Sequence, residues 1–190
     1  LSRPAARSLR RTPVTPNAVT LFTLALAAVT GAALAAGWNI AGGIGIQVVS
    51  VVDGVDGELA RLRNATSRFG EVLDAVTDRY ADALIVAGLT VFAARFEDWP
   101  RPEVVGALAL AGVLTVSYSR ARIEASLEMG PSDGLFGLAS RDVRSLVAAI
   151  GAIAGQCYWT LVVLAVASGL TVAWRLAYLR AKRVGMPPAR

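Results

Sequence analysis

The sequence predicts an all-α membrane protein with six transmembrane helices, preceded by a short amphipathic interfacial helix. Two observations on composition lead to this prediction. Hydrophobic residues make up 55% of the 190-residue chain and charged residues only 17%, whereas about a quarter of a soluble domain is charged. The apolar residues also fall in blocks of roughly 20, the length that crosses a bilayer as a helix. We therefore expect one membrane domain over residues 1–190, with an interfacial helix or arm at 1–16 and a six-helix bundle at 18–183.

The six predicted spans are separated by short polar or glycine-containing breaks. We place them at about residues 18–37, 40–61, 69–94, 103–122, 140–155 and 158–180. The run Thr15-Pro16-Asn17 is typical of a helix start, and Asn17 is one candidate for the cap of the first span. Ser140 is predicted to cap the fifth helix, because Asp142 follows in its first turn. Gly155-Gln156 supplies the break between the last two spans.

The basic residues orient the predicted bundle. With a cytoplasmic N-terminus, seventeen of the 19 Lys and Arg residues fall on the inner side, and only Arg95 and Arg101 fall outside. This positive-inside bias predicts a multi-pass protein of the inner (cell) membrane with both termini in the cytoplasm. It also accounts for the net charge of +5 without a nucleic-acid partner. Trp38, Trp99 and Trp159 then lie at outer span ends, where amphipathic rings are enriched.

The N-terminal segment is basic before the first apolar block. Arginines at positions 3, 7, 10 and 11 are interspersed with apolar residues. Helical spacing predicts an amphipathic helix that lies on the inner leaflet. A disordered basic arm is the alternative.

Two residue types are scarce enough to exclude whole classes of site. The chain contains no histidine and a single cysteine, Cys157. An internal disulfide and a cysteine-rich metal site are therefore excluded, as are histidine-based triads and histidine zinc sites. Acid–base or metal chemistry must run on carboxylates, and Cys157 is expected to serve packing.

Four aspartates interrupt the second and third apolar blocks. Asp53 and Asp56 lie in the second block, and Asp74 and Asp78 lie in the third. Residues three and four apart share a helix face, so both pairs are expected at the same level, near the cytoplasm. One Asp at the centre of a membrane helix costs about 2.5–3.5 kcal/mol. Because clustered carboxylate oxygens are preferred ligands of Mg²⁺, Mn²⁺ and Ca²⁺, the cluster indicates a divalent-cation site, with Arg61 and Arg79 as further counter-charges.

These aspartates belong to a longer pattern of fixed spacing, Asp53-x2-Asp56-Gly57-x2-Ala60-Arg61-x8-Gly70-x3-Asp74-x3-Asp78. The pattern resembles the signature of the CDP-alcohol phosphotransferase family at every position. The resemblance implies six membrane helices after an amphipathic helix, a homodimer, and an active site open to the cytoplasm. It also implies the reaction, in which an acceptor hydroxyl attacks the pyrophosphate of a CDP-linked alcohol and CMP is released.

The resemblance further implies roles for individual residues. Two divalent cations, Mg²⁺ or Mn²⁺, would be held by Asp53, Asp56, Asp74 and Asp78, and Asp78 would also take the acceptor's proton as the catalytic base. The residues implied in binding the CDP group are Asn17, Thr20, Asp56, Gly57, Ala60, Arg61 and Gly70.

A basic pocket for a phosphorylated alcohol acceptor is predicted beside the aspartates. Its candidate residues all lie at cytoplasmic span ends, namely Arg68, Arg120, Arg122, Arg141 and Arg144. Arginine binds phosphate in a bidentate manner. The alternative for each of them is the ordinary positive-inside bias.

The runs 52–62 and 139–144 resemble the membrane half of bifunctional enzymes in the same family. In those enzymes a cytosolic cytidylyltransferase domain makes CDP-inositol, and the membrane domain joins it to inositol phosphate. The resemblance implies this donor, this acceptor and such an N-terminal domain outside the chain. The alternative is phosphatidyl transfer from CDP-diacylglycerol to inositol phosphate or glycerol phosphate.

A divalent-cation transporter is a more distant alternative. The acidic cluster occurs only once and near one membrane surface, whereas transporters tend to have internal repeats and broken helices at the midplane. Of the other polar residues, Asp82 is expected to pair with an arginine or support the catalytic face, and Glu124 and Glu128 are expected to be solvated loop charges. The small residues Ala27, Gly31 and Ala35 favour close helix packing or dimerisation.

Overall fold

The computed structural model describes residues 4, 7, 8, 12–63, 67–127 and 140–183, and from residue 12 onward these form six helices joined by short connections. No strand occurs among them. The helices are α1 (Pro16–Ala35), α2 (Asn39–Leu62), α3 (Arg68–Phe96), α4 (Pro102–Leu127), α5 (Arg141–Ile153) and α6 (Cys157–Arg183). The predicted all-α fold is confirmed. The prediction of an interfacial helix concerns residues that mostly lie outside the described ranges, as does Glu128.

Helix α4 is longer than predicted, and this changes the interpretation of one residue. It continues to Leu127 instead of ending near residue 122. Glu124 is therefore a helical residue and pairs with Arg120 at 2.9 Å, one turn away. Its assignment as a solvated loop charge was wrong, because an i, i+4 pair of opposite charge favours continuation of the helix.

The helix starts follow local capping chemistry. The Thr15 side chain accepts a hydrogen bond from the Ala18 N–H at 3.2 Å, with Pro16 in the first turn of α1. The alternative in which Asn17 caps α1 was therefore wrong. Ser140 caps α5 as predicted, and its hydroxyl accepts from the Val143 N–H. Gly155 has a φ of +65°, which allows the sharp break before α6 that the sequence predicted.

Four of the described helices are long and apolar enough to cross a membrane, namely α1, α2, α4 and α6. Helix α3 has 29 residues but carries the charged residues of the third block. Helix α5 has 13 residues, a length of about 20 Å at 1.5 Å per residue, shorter than a full span.

Helix α1 forms the centre of one half of the bundle, because it packs against both α2 and α3. A Cβ on Gly31 would lie 2.5 Å from the Leu84 carbonyl oxygen, and one on Gly88 would lie 2.5 Å from the Gly31 carbonyl oxygen. Ala27 is fully buried in the same interface. The predicted close packing at Ala27 and Gly31 is confirmed, and its partner is helix α3 of the same chain.

The two helices that carry the four aspartates do not pack closely against each other. Helix α1 contacts both of them, α5 packs against α2, and α3 packs mainly against α1, α4 and α6. A gap therefore runs between α2 and α3 along the half of the bundle that carries the aspartates. The side chains of this gap form the candidate site.

The opposite end of α3 is attached to the start of α6. Glu97, just after α3, accepts backbone N–H hydrogen bonds from Cys157 at 2.6 Å and Tyr158 at 3.0 Å. The first N–H groups of a helix have no partner within the helix, so Glu97 satisfies two of them. The helix dipole also favours a negative charge at this end. Trp99 stacks on Tyr158 beside this contact. Cys157 is fully buried, as expected for a packing residue.

Candidate active site

Three carboxylates converge in the gap between α2 and α3. Asp53 on α2 and Asp74 and Asp78 on α3 each have an oxygen within 4.8 Å of the others. The two α3 residues are one turn apart, so they face α2 together. The predicted proximity of the two aspartate pairs is confirmed for these three residues.

Asp56 lies one turn from Asp53 but faces α1 rather than the three-carboxylate group. It is buried, with 5% of its surface exposed. Its Oδ2 accepts a hydrogen bond from the Thr20 hydroxyl at 2.6 Å, and its Oδ1 accepts from the Gly57 N–H at 2.6 Å. Thr20 and Asp56, both predicted as site residues, are therefore in direct contact across the α1–α2 interface.

Arg141, the first residue of α5, extends into the three-carboxylate group. Its Nη1 donates to Asp78 Oδ1 at 2.7 Å and also pairs with Asp53. Only a quarter of the side chain is exposed. This arginine is the principal counter-charge of the cluster among the described residues. It is 63 residues from Asp78 and 88 from Asp53 in the sequence, so no local pattern indicates this contact.

Two further arginines pair with aspartates of α3. Arg79 pairs with the other oxygen of Asp78 at 3.2 Å, as the sequence predicted. Asp82 lies one turn beyond Asp78 and faces Arg144 at 3.7 Å and Arg141 at 3.9 Å. The expectation that Asp82 pairs with an arginine is confirmed.

A small cavity of about 40 Å³ adjoins these charges between α2, α3 and α5. Its polar wall consists of Ser50, Asp82, Arg141, Arg144 and Ser145, and its remaining wall is apolar. The Ser145 hydroxyl donates to Ser50 at 3.1 Å across it. Arg144 also has a buried Nη1 that makes no hydrogen bond within the part of the chain that the structure describes. Sequence reasoning did not find this cavity, because no periodicity indicates which helices leave space between them.

The small residues predicted beside the carboxylates have different surroundings in the structure. Among the described residues, a Cβ on Gly57 would meet nothing nearer than the Arg61 guanidinium at 3.8 Å. Gly70 lies beside α1, where a Cβ would come within 3.3 Å of Asn17 Oδ1. Asn17 on α1 and Gly70 on α3 are therefore neighbours. Ala60 is half-buried on α2.

Several predicted arginines are not brought to the cluster. Arg61, predicted to offset part of the aspartates' charge, pairs instead with Glu58 at 2.9 Å, and 68% of its side chain is exposed. Arg120 pairs with Glu124, and Arg68 and Arg122 are exposed on their helices. Of the five arginines predicted for the acceptor, only Arg141 and Arg144 lie together beside the carboxylates.

The residues present fit a divalent cation. Asp53, Asp74 and Asp78 offer hard oxygen donors from two helices within 4.8 Å, the donor chemistry of Mg²⁺ and Mn²⁺. Neutral and soft donors are absent from this group, which makes zinc or copper a poor match.

The sequence model of the CDP-alcohol phosphatidyltransferase family matches residues 13–174, which contain every aspartate of the site. The chain belongs to this family. It is a multi-pass membrane protein of a transferase family, and the resemblance of the aspartate pattern is confirmed.

Relatives with two different names are similar in sequence to the chain. A "bifunctional IPC transferase and DIPP synthase" of Rubrobacter xylanophilus is 47% identical over 144 residues, which are 76% of this chain and 32% of that protein. The chain thus matches about a third of that relative's length. A phosphatidylinositol phosphate synthase of Mycobacteroides abscessus is 36% identical over 190 residues, which are 95% of this chain and 84% of that protein.

The solved phosphatidylinositol phosphate synthase of Mycobacterium tuberculosis has the same fold. Its structure with CDP-DAG bound has a TM-score of 0.77 at 29% identity and covers 93% of this chain and 92% of the other. Its complex with manganese and citrate has a TM-score of 0.78 at 29% identity and covers 93% and 88%.

Proposed function

We propose that the protein is a metal-dependent CDP-alcohol phosphotransferase, in which an acceptor hydroxyl attacks the pyrophosphate of a CDP-linked alcohol. The products are a phosphodiester and CMP. The observation that carries the proposal is the convergence of Asp53, Asp74 and Asp78 within 4.8 Å, in the spacing of the family motif. The manganese in the solved M. tuberculosis relative supports a cation at this group.

The four aspartates have two different roles in this proposal. Asp53, Asp56 and Asp74 hold metal, and Asp78 contacts a second metal and accepts the acceptor's proton. Two bound cations would neutralise charge on the pyrophosphate and on the departing CMP. Asp78 suits the role of base because it belongs to the carboxylate group and also contacts Arg141, which lines the adjacent cavity. Without histidine in the chain, a carboxylate is the ordinary alternative.

The nucleotide side of the site lies along α1 and α2 in this proposal. Thr20 holds Asp56 in its orientation. Gly57, Ala60 and Gly70 leave room for the cytidine and its phosphates, and Asn17 lies beside Gly70. Arg61 is exposed near Gly57 and would exchange Glu58 for a donor phosphate.

For the substrates, we propose CDP-inositol as donor and inositol phosphate as acceptor. The 47% identity to the bifunctional Rubrobacter relative supports this choice. A cytidylyltransferase domain that supplies the donor belongs to the same proposal. Arg141 and Arg144 would bind the acceptor's phosphate, and the exposed Arg68, Arg120 and Arg122 would attract it to the site.

A second candidate reaction is phosphatidyl transfer from CDP-diacylglycerol to inositol phosphate or glycerol phosphate. The match to phosphatidylinositol phosphate synthase over 95% of the chain favours it. The fold shared with the CDP-DAG-bound relative supports it as well.

We further propose six membrane spans, a homodimer, and an active site and both termini on the cytoplasmic side of the inner membrane. The distribution of basic residues supports this orientation. Trp38, Trp99 and Trp159 are all exposed at helix ends on the side away from the carboxylates, as expected of rings in the opposite interface.

The decisive experiment measures CMP release by the purified protein in liposomes, with Mg²⁺ or Mn²⁺, from CDP-inositol and separately from CDP-diacylglycerol. Each donor is offered inositol phosphate and glycerol phosphate. Asp78→Asn should lower the rate by at least about 10²-fold, since a positioned base contributes about 10²–10⁴-fold. Asp142→Asn is the matched control, because Asp142 is exposed on α5 and outside the cluster.

The outcomes separate the candidates. CMP release from CDP-inositol supports the first reaction, and release only from the lipid donor supports the second. Flux of the cation across the liposome membrane without CMP release from either donor would favour the transporter and contradict the proposal.

A further inference from the structure

Arg141 connects two groups of charges that the proposed function uses separately. Its Nη1 contacts Asp53 and Asp78, two of the three residues of the candidate cation site. Its Nε lies 3.9 Å from Asp82, and its side chain forms part of the wall of the adjacent cavity. One guanidinium therefore borders both a cation site and a cavity.

A divalent cation and Arg141 compete for the same oxygens. Both are positive, and at separations of a few ångströms two unit charges repel by several kcal/mol at an effective dielectric constant of about 20. A cation that binds Asp53 and Asp78 must therefore displace Nη1 of Arg141. Asp82 contacts the opposite edge of the guanidinium, so the displaced side chain stays beside the cavity.

Arg144, which lines the cavity, has an unsatisfied donor. Its Nη1 is buried without a partner among the described residues, and its side chain is only 10% exposed. A buried donor without an acceptor costs about 1–3 kcal/mol. An anion with several oxygens would satisfy this donor together with the freed Nη1 of Arg141, as arginine pairs do with phosphate.

We propose that Arg141 is a positioning residue that couples the two sites, so that a cation bound at Asp53 and Asp78 releases Arg141 to bind a phosphomonoester dianion beside Arg144. The inference rests on the proposed function and adds an order of binding: the cation precedes the phosphorylated acceptor. Because coupling is reciprocal, the anion must strengthen cation binding by the same factor.

The first test measures the dissociation constant of Mn²⁺ from the full chain in detergent, by electron paramagnetic resonance of free Mn²⁺. Arg141→Gln removes the competitor and should tighten Mn²⁺ binding by at least about fivefold, the lower end of typical coupling. Arg144→Gln is the matched control. It removes the same charge three residues later but makes no contact with Asp53 or Asp78 among the described interactions, so its effect should stay within about twofold under screening salt.

A merely structural role of Arg141 gives the opposite sign. If Arg141 only holds the aspartates together, Arg141→Gln should weaken Mn²⁺ binding, and this result overturns the proposal. An unchanged constant, or equal tightening in both variants, also overturns it.

The second test starts from the wild-type chain. Sulfate, a tetrahedral dianion that leaves Mn²⁺ in solution, serves as the probe. It should tighten Mn²⁺ binding to the wild-type chain severalfold, and Arg141→Gln should abolish this effect. Ion pairing between sulfate and free Mn²⁺ acts in the opposite direction. Absence of tightening in the wild type overturns the coupling.

These outcomes are distinguishable from failure of the proposed function. A wild-type chain that binds no Mn²⁺ would overturn the metal centre and the coupling together. CMP release with normal Mn²⁺ binding, but without the effect of Arg141→Gln, would overturn the coupling alone.

Discussion

At the scale of single residues, the contact between Thr20 and Asp56 shows how a buried carboxylate is held for use. Asp56 is 5% exposed and accepts one hydrogen bond from another helix, from the Thr20 hydroxyl at 2.6 Å. A hydrogen bond to a charged group contributes about 1.5–3 kcal/mol. The orientation of Asp56 in the proposed site therefore depends on a neutral residue of α1.

Thr20→Val should lower kcat/KM for CMP release by about 10- to 100-fold, because 1.4 kcal/mol corresponds to about tenfold. Valine keeps the shape of threonine but cannot donate. Thr20→Ser keeps the hydroxyl and should retain most of the activity. Steady-state assays of the two variants in parallel test this, and equal loss in both would assign Thr20 a packing role instead.

The sequence could predict which aspartates share a helix face, but not which arginines pair with them. The spacing of Asp74 and Asp78 fixes their common face within one helix. The partner Arg141 is 63 residues away from Asp78, and no local pattern distinguishes it from Arg120 or Arg122, which also lie at span ends. Only the packing of α5 on α2 selects Arg141 and Arg144.

At the scale of elements, the crossing of α1 and α3 depends on two glycines in direct contact. The backbones approach so closely at Gly31 and Gly88 that a single methyl group would meet backbone atoms. Small residues allow such contacts between membrane helices, where dispersion rather than the hydrophobic effect drives association. The sequence predicted the small residues of α1, but their partner on α3 required the structure.

Gly31→Ala should destabilise the protein by about 1–3 kcal/mol, since backbone atoms cannot rotate away from the added methyl group. Gly169→Ala on α6 is the matched control. Its Cβ would meet nothing within 4 Å, so alanine should be neutral or stabilising by about 0.5–1 kcal/mol through its higher helix propensity. Thermal unfolding in detergent, followed by circular dichroism, measures both. Similar melting temperatures for the two variants would contradict the close crossing.

At the scale of the whole molecule, the charge distribution predicts an orientation that the helices alone do not define. Four described helices are apolar enough to span a membrane, and they include α2, which carries Asp53 and Asp56. Helices α3 and α5 are not among them, and they carry the other charged residues of the site. Helices α3 and α5 are part of the bundle because they pack against apolar neighbours, and the hydropathy of a single segment does not show such packing. The six helices between residues 16 and 183 were therefore predicted from the sequence, while six membrane spans stay a prediction.

The proposed orientation predicts opposite thiol accessibility at the two ends of the bundle. A cysteine at Glu103, near the end of the bundle where Trp38, Trp99 and Trp159 lie, should react with a membrane-impermeant maleimide in intact spheroplasts. One at Arg180, near the end of α6, should react only after lysis. The native Cys157 is fully buried and serves as an internal control. Reaction at position 180 in intact spheroplasts would contradict cytoplasmic termini.

Helix α3 is held at its far end by Glu97 and at its middle by Gly88, but it carries Asp74 and Asp78 in the half that lacks close backbone contact with α2. Gly88 is thus the point about which a tilt of α3 is measured. Asp78 lies ten residues from Gly88, about 15 Å along the helix, so a tilt of about 4° about this point moves its carboxylate by about 1 Å. Such a displacement is large compared with the tolerance of metal coordination. The distance between the α3 carboxylates and Asp53 on α2 is therefore sensitive to small differences in the tilt of α3.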